Sequence, residues 1–295
     1  MTGAERGFLL LTGTLGNPDR KPLSTAQMRI LGARVSASTK ISADRELEVR
    51  DLISLGYAEP MAQRILALLN EEDLLEYYLR AGQKLHCLPL SRAGREYPAC
   101  IQRKLGLEAP GCLWAKGDLN LLSRPKVALV GSRNIRNKNR EFAAEVGRQA
   151  ARQGFVLVSG NARGADKAAQ EACLNSGGQV ISVVADELCD QKERAGVLYL
   201  SEDGYDLPFS AQRALSRNRM IHALADKTFV AQCDLNMGGT WSGTVKNLQN
   251  SWSAVFCFDD GSVAVQELQQ MGAQGIGVQQ LDDIAALEPE IISFL

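Results

Sequence analysis

At 295 residues, with 45% hydrophobic and 23% charged, the chain is long enough for one large domain or two ordinary ones around a sizeable core. Its formal net charge of −1 excludes the global basic excess that would announce a nucleic-acid partner, so any polyanion must meet local basic patches. Seven scattered cysteines without a C-x-x-C pair, only two histidines and no run of eighteen apolar residues argue against a zinc site, a disulfide framework or a membrane span, and a soluble cytoplasmic protein is expected.

The first 22 residues, with GFLLLTGTLG, read as either a helix or a short strand. Ser24 then serves as an N-cap before AQMRILGARV, and further helices are expected over Asp44–Leu55, closed by Gly56, over Glu59–Leu69, opened by Glu-Pro, and over Leu74–Ala81 up to Gly82. Residues 1–82 would form a small all-helical domain of helix-hairpin or sterile-alpha-motif type. Arg29, Arg34, Arg45, Arg50 and Arg64 alternate there with acids, which suits a solvated face.

Residues 83–124 lead into a second domain, 83–295, with strands expected at QKLHCLPL and Cys112–Ala115 between turns punctuated by Pro98, Pro110 and Pro125. From Lys126 the pattern changes. Val127–Val130 and Phe155–Val158 are short, β-branched and uncharged, as strands buried on both faces of a parallel sheet are, and Asn139–Gln153 between them is helical, with Phe142, Val146 and Ala150 on one stripe. A helix over Asp166–Asn175, strands at Gln179–Ala185, Leu198–Leu200, Thr228–Gln232, Ala254–Phe258 and within Gly272–Leu281, a helix over Ser210–Ala225 and a terminal helix over Asp283–Leu295 complete the reading. Strands alternating with helices specify an α/β fold with an extended Rossmann-like, doubly wound, mostly parallel sheet.

Three segments would meet at the carboxyl edge of that sheet. Gly131, Ser132 and Arg133 supply a tight turn, a hydroxyl and a guanidinium fork for phosphate. Ser159, Gly160, Ala162, Arg163, Gly164 and Asp166 supply a second glycine-rich turn and guanidinium, with Asp166 as the expected N-cap. Gly238, Gly239 and Thr240 open a helix in another anion-cradling geometry, with Lys246 further along it and Trp241 as either a stacking platform or a core residue. Each turn alone is how any α/β protein connects strand to helix; the three together argue for a phosphate-containing ligand. The helix carrying Arg213, Arg217, Asn218, Arg219 and His222 has no acid within 207–225, which predicts a basic face turned to phosphate.

Those motifs, GSR at 131–133, SGNARGAD at 159–166 and SRNRMIHAL at 216–224, resemble the DprA/Smf family of DNA-processing proteins, and REYPACIQRKLGLEAPGCLWAKGDLNLL at 95–122 is similar too. The resemblance implies a non-enzymatic, sequence-independent single-stranded DNA binder, a homodimer that delivers a RecA-type recombinase onto single strands. It places Gly131, Ser132, Arg133, Ser159, Gly160, Ala162, Arg163, Gly164 and Asp166 on the family's phosphate pocket and Arg217, Asn218 and Arg219 on its RNR motif. No cofactor, metal or catalytic residue is implied. The sequence departs from the family at Ala165, at Gln170 and in GGTWSG at 238–243, wording that is similar to nucleotide-binding Rossmann-like proteins including the Lonely Guy phosphoribohydrolases. Those enzymes carry a glutamate where this chain has Thr244-Val245-Lys246-Asn247, so a sensor or hydrolase for a nucleotide derivative, in a defence or mobile-element setting, stands as the alternative expectation.

Overall fold

The computed structural model describes residues 1–17, 19–38, 47–202 and 204–289. The ambiguous opening is a helix, α1 (Gly3–Thr12), started by a capping box between Thr2 and Glu5. Ser24 caps α2 (Thr25–Ser36) as expected, with Gln27 as its reciprocal partner. The helix expected over Asp44–Leu55 is the shorter α3 (Val49–Ser54), and positions 44–46 lie outside the described residues. The helix α4 (Glu59–Leu69) has the expected bounds, with Pro60 in the first turn, and α5 (Glu72–Lys84) is longer at both ends.

Because Gln83 and Lys84 finish α5, only the end of the QKLHCLPL segment enters the strand β1 (Leu88–Ser91). There follow α6 (Ala99–Leu105), β2 (Cys112–Lys116), β3 (Lys126–Val130), α7 (Asn137–Arg152), β4 (Val156–Ser159), α8 (Ala165–Asn175), β5 (Gln179–Val183), β6 (Val197–Glu202), α9 (Ala211–Leu224), β7 (Lys227–Val230), α10 (Gly238–Asn250), β8 (Ala254–Phe258), α11 (Val263–Gln270) and β9 (Gln274–Ile276). The sequence reading missed α6 and α11, although α11 shows Ser262 as a cap and Ala264, Val265 and Leu268 at helical spacing. The terminal helix is a correction: Val278–Asp283 is a 3-10 turn and 287–289 are irregular, Pro289 biasing Glu288 away from helical backbone, while 290–295 lie outside the described residues.

The nine strands form one sheet in the order β1-β2-β6-β5-β4-β3-β7-β8-β9. All neighbours from β6 to β9 are parallel, and β1 and β2 add an antiparallel edge. Helices cover both faces. Phe142, Val146, Ala169 and Cys173 of α7 and α8 pack on Val127, Leu157, Phe229 and Phe256. Met220, Ile221 and Trp241 of α9 and α10 pack on Ala128, Val130, Val158 and Ile181 on the other face. Close approach of α7 and α8 requires Gly147, where a Cβ would stand 2.1 Å from the Ala169 carbonyl oxygen. From β3 the chain winds through β4, β5 and β6 to one side and through β7, β8 and β9 to the other, so the carboxyl ends of β3 and β7 open a crevice at the point where the winding reverses.

The N-terminal helices have a core of their own, with Leu11, Leu31, Leu52 and Ile65. A second cluster joins them to the antiparallel edge: Leu9, Leu10, Leu75 and Tyr78 pack with Trp114 and Tyr205. Tyr78 stacks on Tyr205 at 4.4 Å between ring centroids and meets Trp114 edge-on at 5.2 Å.

Candidate functional site

The loop after β3 is held from three sides. Ser132 donates its N–H to the Gln232 carbonyl (2.9 Å), and its own carbonyl accepts from the N–H of Ala165 (3.2 Å). The Gln232 side chain accepts from the Arg136 N–H (2.9 Å) and donates to the Asn134 carbonyl (3.2 Å). Arg136 reaches Asp260, which also accepts from Asn139 (2.7 Å). The stitch between Ser132 and Ala165 requires Gly164, whose φ is +85° and where a Cβ would stand 2.4 Å from the Ser132 oxygen.

The loop after β4 differs from expectation. Gly164, not Asp166, occupies the N-cap of α8, and the buried Asp166 carboxylate accepts from the N–H groups of Gly160 (3.1 Å) and Ala162 (3.2 Å). The anion cradle read from SGNARGAD is therefore filled by the chain's own carboxylate. Burial pushes Asp166 up to about 6, against the opposing pull of Arg217, those two N–H groups and Arg133. Ser159 is buried and accepts from the Gln170 amide (2.6 Å), whereas Arg163 is exposed.

The expectation of a phosphate-facing basic helix is also corrected. Arg217 is buried, and its guanidinium donates to the carbonyls of Gly160 and Val183. Arg213 donates to the carbonyls of Ala185 (2.7 Å), Leu207 (2.7 Å) and Pro208 (2.9 Å). Arg219 turns away from the crevice to Glu202 of β6 (3.1 Å). His222 is buried and pushed down to about 3 by desolvation, so it is neutral, with Nδ1 3.3 Å from the Thr228 hydroxyl. Asn218 does face the crevice and donates to the Gly239 carbonyl (3.0 Å). Carbonyl ends of neighbouring strands, not nearby acids, consume most of this helix's cations.

Around the switch point the structure forms a cavity of about 470 Å³. Of the residues expected at the site, Gly131, Ser132, Arg133, Ala162, Asp166, Arg217, Asn218, Gly238, Gly239 and Thr240 line it; Ser159, Gly160, Arg163, Gly164, Arg219 and Lys246 do not. Trp241 is a core residue, 7% exposed, which removes it as a platform. Sequence reasoning missed Phe209 and Leu215, which line the cavity while 53% and 55% exposed, and the exposed acid Asp234; Met237, which leads into the Gly238 loop, lines it at 67% exposed. Arg133 lies over the Phe209 ring, its guanidinium carbon 5.9 Å from the centroid.

A model of the family described as DNA recombination-mediator protein A matches residues 90–286. The chain belongs to that family. Among curated members of this recombination-mediator family, it is 28% identical to DNA processing protein DprA of Bacillus subtilis over 59% of this chain and 57% of that one, and 34% identical to its Streptococcus pneumoniae counterpart over 44% and 50%. The matches thus span about half to three-fifths of those relatives' length. The crystal structure of DprA from S. pneumoniae superposes with a TM-score of 0.73 at 25% identity, covering 98% of this chain and 99% of that one. A structure from Helicobacter pylori, described as giving insight into the single-stranded DNA binding mode of its DprA, superposes at 0.56 with 26% identity over 67% and 94%. The family model's match begins within β1, so α1–α5 lie outside it, whereas the superposition on the S. pneumoniae structure takes in 98% of the chain. Phe209 carried one signal in the sequence, an aromatic between Pro208 and the Ser210 cap in a turn that otherwise favours polar residues.

Proposed function

We propose that this chain binds single-stranded DNA without reading its sequence and acts as a recombination mediator, non-enzymatically, delivering a RecA-type recombinase as a cytoplasmic homodimer. The observation that carries this reading is Arg133 at the cavity mouth against Phe209: a phosphate fork beside an aromatic face. A phosphate would meet Ser132 and Arg133 and the start of α10 at Gly238–Thr240, while a base stacks on Phe209 among Leu215 and Met237. Arg217 and Asn218 then act from within the wall, Arg217 as a brace under the Gly160 turn. Membership of the same family as the H. pylori protein, together with that arrangement, supports single-stranded DNA as the ligand.

Fluorescence anisotropy with a labelled oligonucleotide across a salt series tests it. Arg133→Ala is expected to weaken binding and flatten the salt dependence. Phe209→Ala is expected to cost about 1–3 kcal/mol with the salt dependence unchanged, because stacking carries no counterion release. Salt-independent binding, or full affinity in both variants, refutes the assignment. A cavity of about 470 Å³ would also hold a free nucleotide, which supports the second reading of a nucleotide-derived ligand. Competition by mononucleotides against the oligonucleotide separates the two.

A further inference from the structure

The sequence after the Ser132 turn, RNIRNKNRE, places four cations within eight residues. The cavity accounts for Arg133, and Asp260 pairs with Arg136. Lys138 and Arg140 are exposed, and among the described residues neither makes an ion pair or a side-chain hydrogen bond. They sit in the first turns of α7, which carry no acid until Glu141. Cations there oppose the helix dipole, whose N-terminal end favours negative charge, so their placement works against the helix unless an anion lies outside it.

The neighbouring helix also carries exposed cations at its start, although its first turn holds Asp166, whose carboxylate is turned to the Gly160 and Ala162 N–H groups. Arg163 directly precedes the Gly164 cap of α8 and is exposed, and Lys167 lies in its first turn, loosely paired with Glu171 at 3.8 Å. Gly147 brings α7 and α8 into close contact, and the hydrogen bond from Ala165 to Ser132 stitches their two leading loops together. The cations therefore share one edge of the sheet. The cavity opens on the side of α9 and α10, these helices cover the opposite face, and the loop bearing Arg133 is the crest between the two sides.

We propose that the exposed cations at the starts of α7 and α8, Lys138 and Arg140 with Arg163 and Lys167, form a phosphate track that carries the strand over the sheet edge from the cavity. This rests on the single-stranded DNA reading above. Continuity with the Arg133 mouth and two exposed cations, Lys138 and Arg140, that make no ion pair among the described residues both fit a polyanion that continues past one nucleotide. A lone nucleotide held in the cavity would leave the track empty.

The test uses the full chain with Lys138→Ala/Arg140→Ala and, as a charge control, Arg103→Ala/Arg152→Ala, which removes the same charge away from the crevice. Binding of a long oligothymidylate and of a dinucleotide is measured over a salt series. Loss of two phosphate contacts is expected to lower the magnitude of the salt slope by about 1.4 and the affinity for the long strand roughly tenfold near physiological salt. The dinucleotide should bind as before, and the control variant should bind the long strand nearly as the unaltered chain does. A long-strand affinity and slope unchanged by the double substitution, with Arg133→Ala still weakening binding, overturns the track and leaves the reading of the cavity standing. An unaltered chain that holds the long strand no better than a mononucleotide overturns both.

Discussion

Asp166 shows how one side chain changes the meaning of a motif. Its carboxylate occupies the Gly160 and Ala162 N–H groups that a ligand would otherwise use, and burial raises its pKa to about 6. A carboxylate whose folded pKa lies above its unfolded value takes up a proton more readily in the folded state. Its contribution to stability therefore falls as pH rises from about 4 to about 6, by a magnitude of about 3 kcal/mol. Asp166→Asn is expected to flatten the pH dependence of the urea midpoint across that window. An anion bound alongside raises the same pKa further, so oligonucleotide affinity at constant ionic strength should be higher at pH 5.5 than at pH 7.5, and equal at the two values in Asp166→Asn. The residues of this site were legible in type but not in role. Gly131, Arg133, Gly238 and Gly239 line the crevice, yet the partners of Arg217 are the carbonyls of Gly160 and Val183, and Arg219 pairs with Glu202 on β6. Such pairings arise from strand order, which spacing along the chain does not encode.

Elements were more legible than residues because their causes are local. Uncharged β-branched runs identified β3, β4, β5 and β8 to within a residue or two, and the caps at Ser24 and Ser210 set the starts of α2 and α9. The exception over 278–289 reflects tertiary packing: Leu281 in the 3-10 turn and Ile284 just after it are buried with the α7 side chains Phe142 and Val146, where they serve the core without a continuous helix. The contact of α7 with α8 is itself a testable element-level feature. Gly147→Ala would drive a methyl group to 2.1 Å from the Ala169 oxygen, backbone that has no rotamer to escape into. Overpacking of this kind costs about 1–3 kcal/mol, to be read as a lowered urea midpoint with unchanged slope. Because both helices start at the crevice, oligonucleotide affinity should fall as well.

At the scale of the molecule, composition excludes a global basic excess, while Lys138, Arg140, Arg163 and Lys167 lie exposed along one sheet edge. The division into residues 1–82 and 83–295 remains a proposal, and the cluster of Tyr78, Trp114 and Tyr205 argues that the two parts unfold together. Tyr78 donates its hydroxyl to Asp206 (2.5 Å) and accepts the Tyr205 N–H (3.3 Å), so α5 holds the segment that leads to Phe209. Tyr78→Phe is expected to lower stability by about 1–3 kcal/mol within a single transition seen alike by far-ultraviolet circular dichroism and tryptophan fluorescence. It should also weaken oligonucleotide binding, although Tyr78 lines no part of the cavity. That tether has a consequence in both directions. If a strand stacked on Phe209 prefers one setting of the 205–209 segment, it also prefers one setting of α5. By thermodynamic reciprocity, a partner gripping the N-terminal helices would then change the strand's affinity by the same factor that the strand changes the partner's.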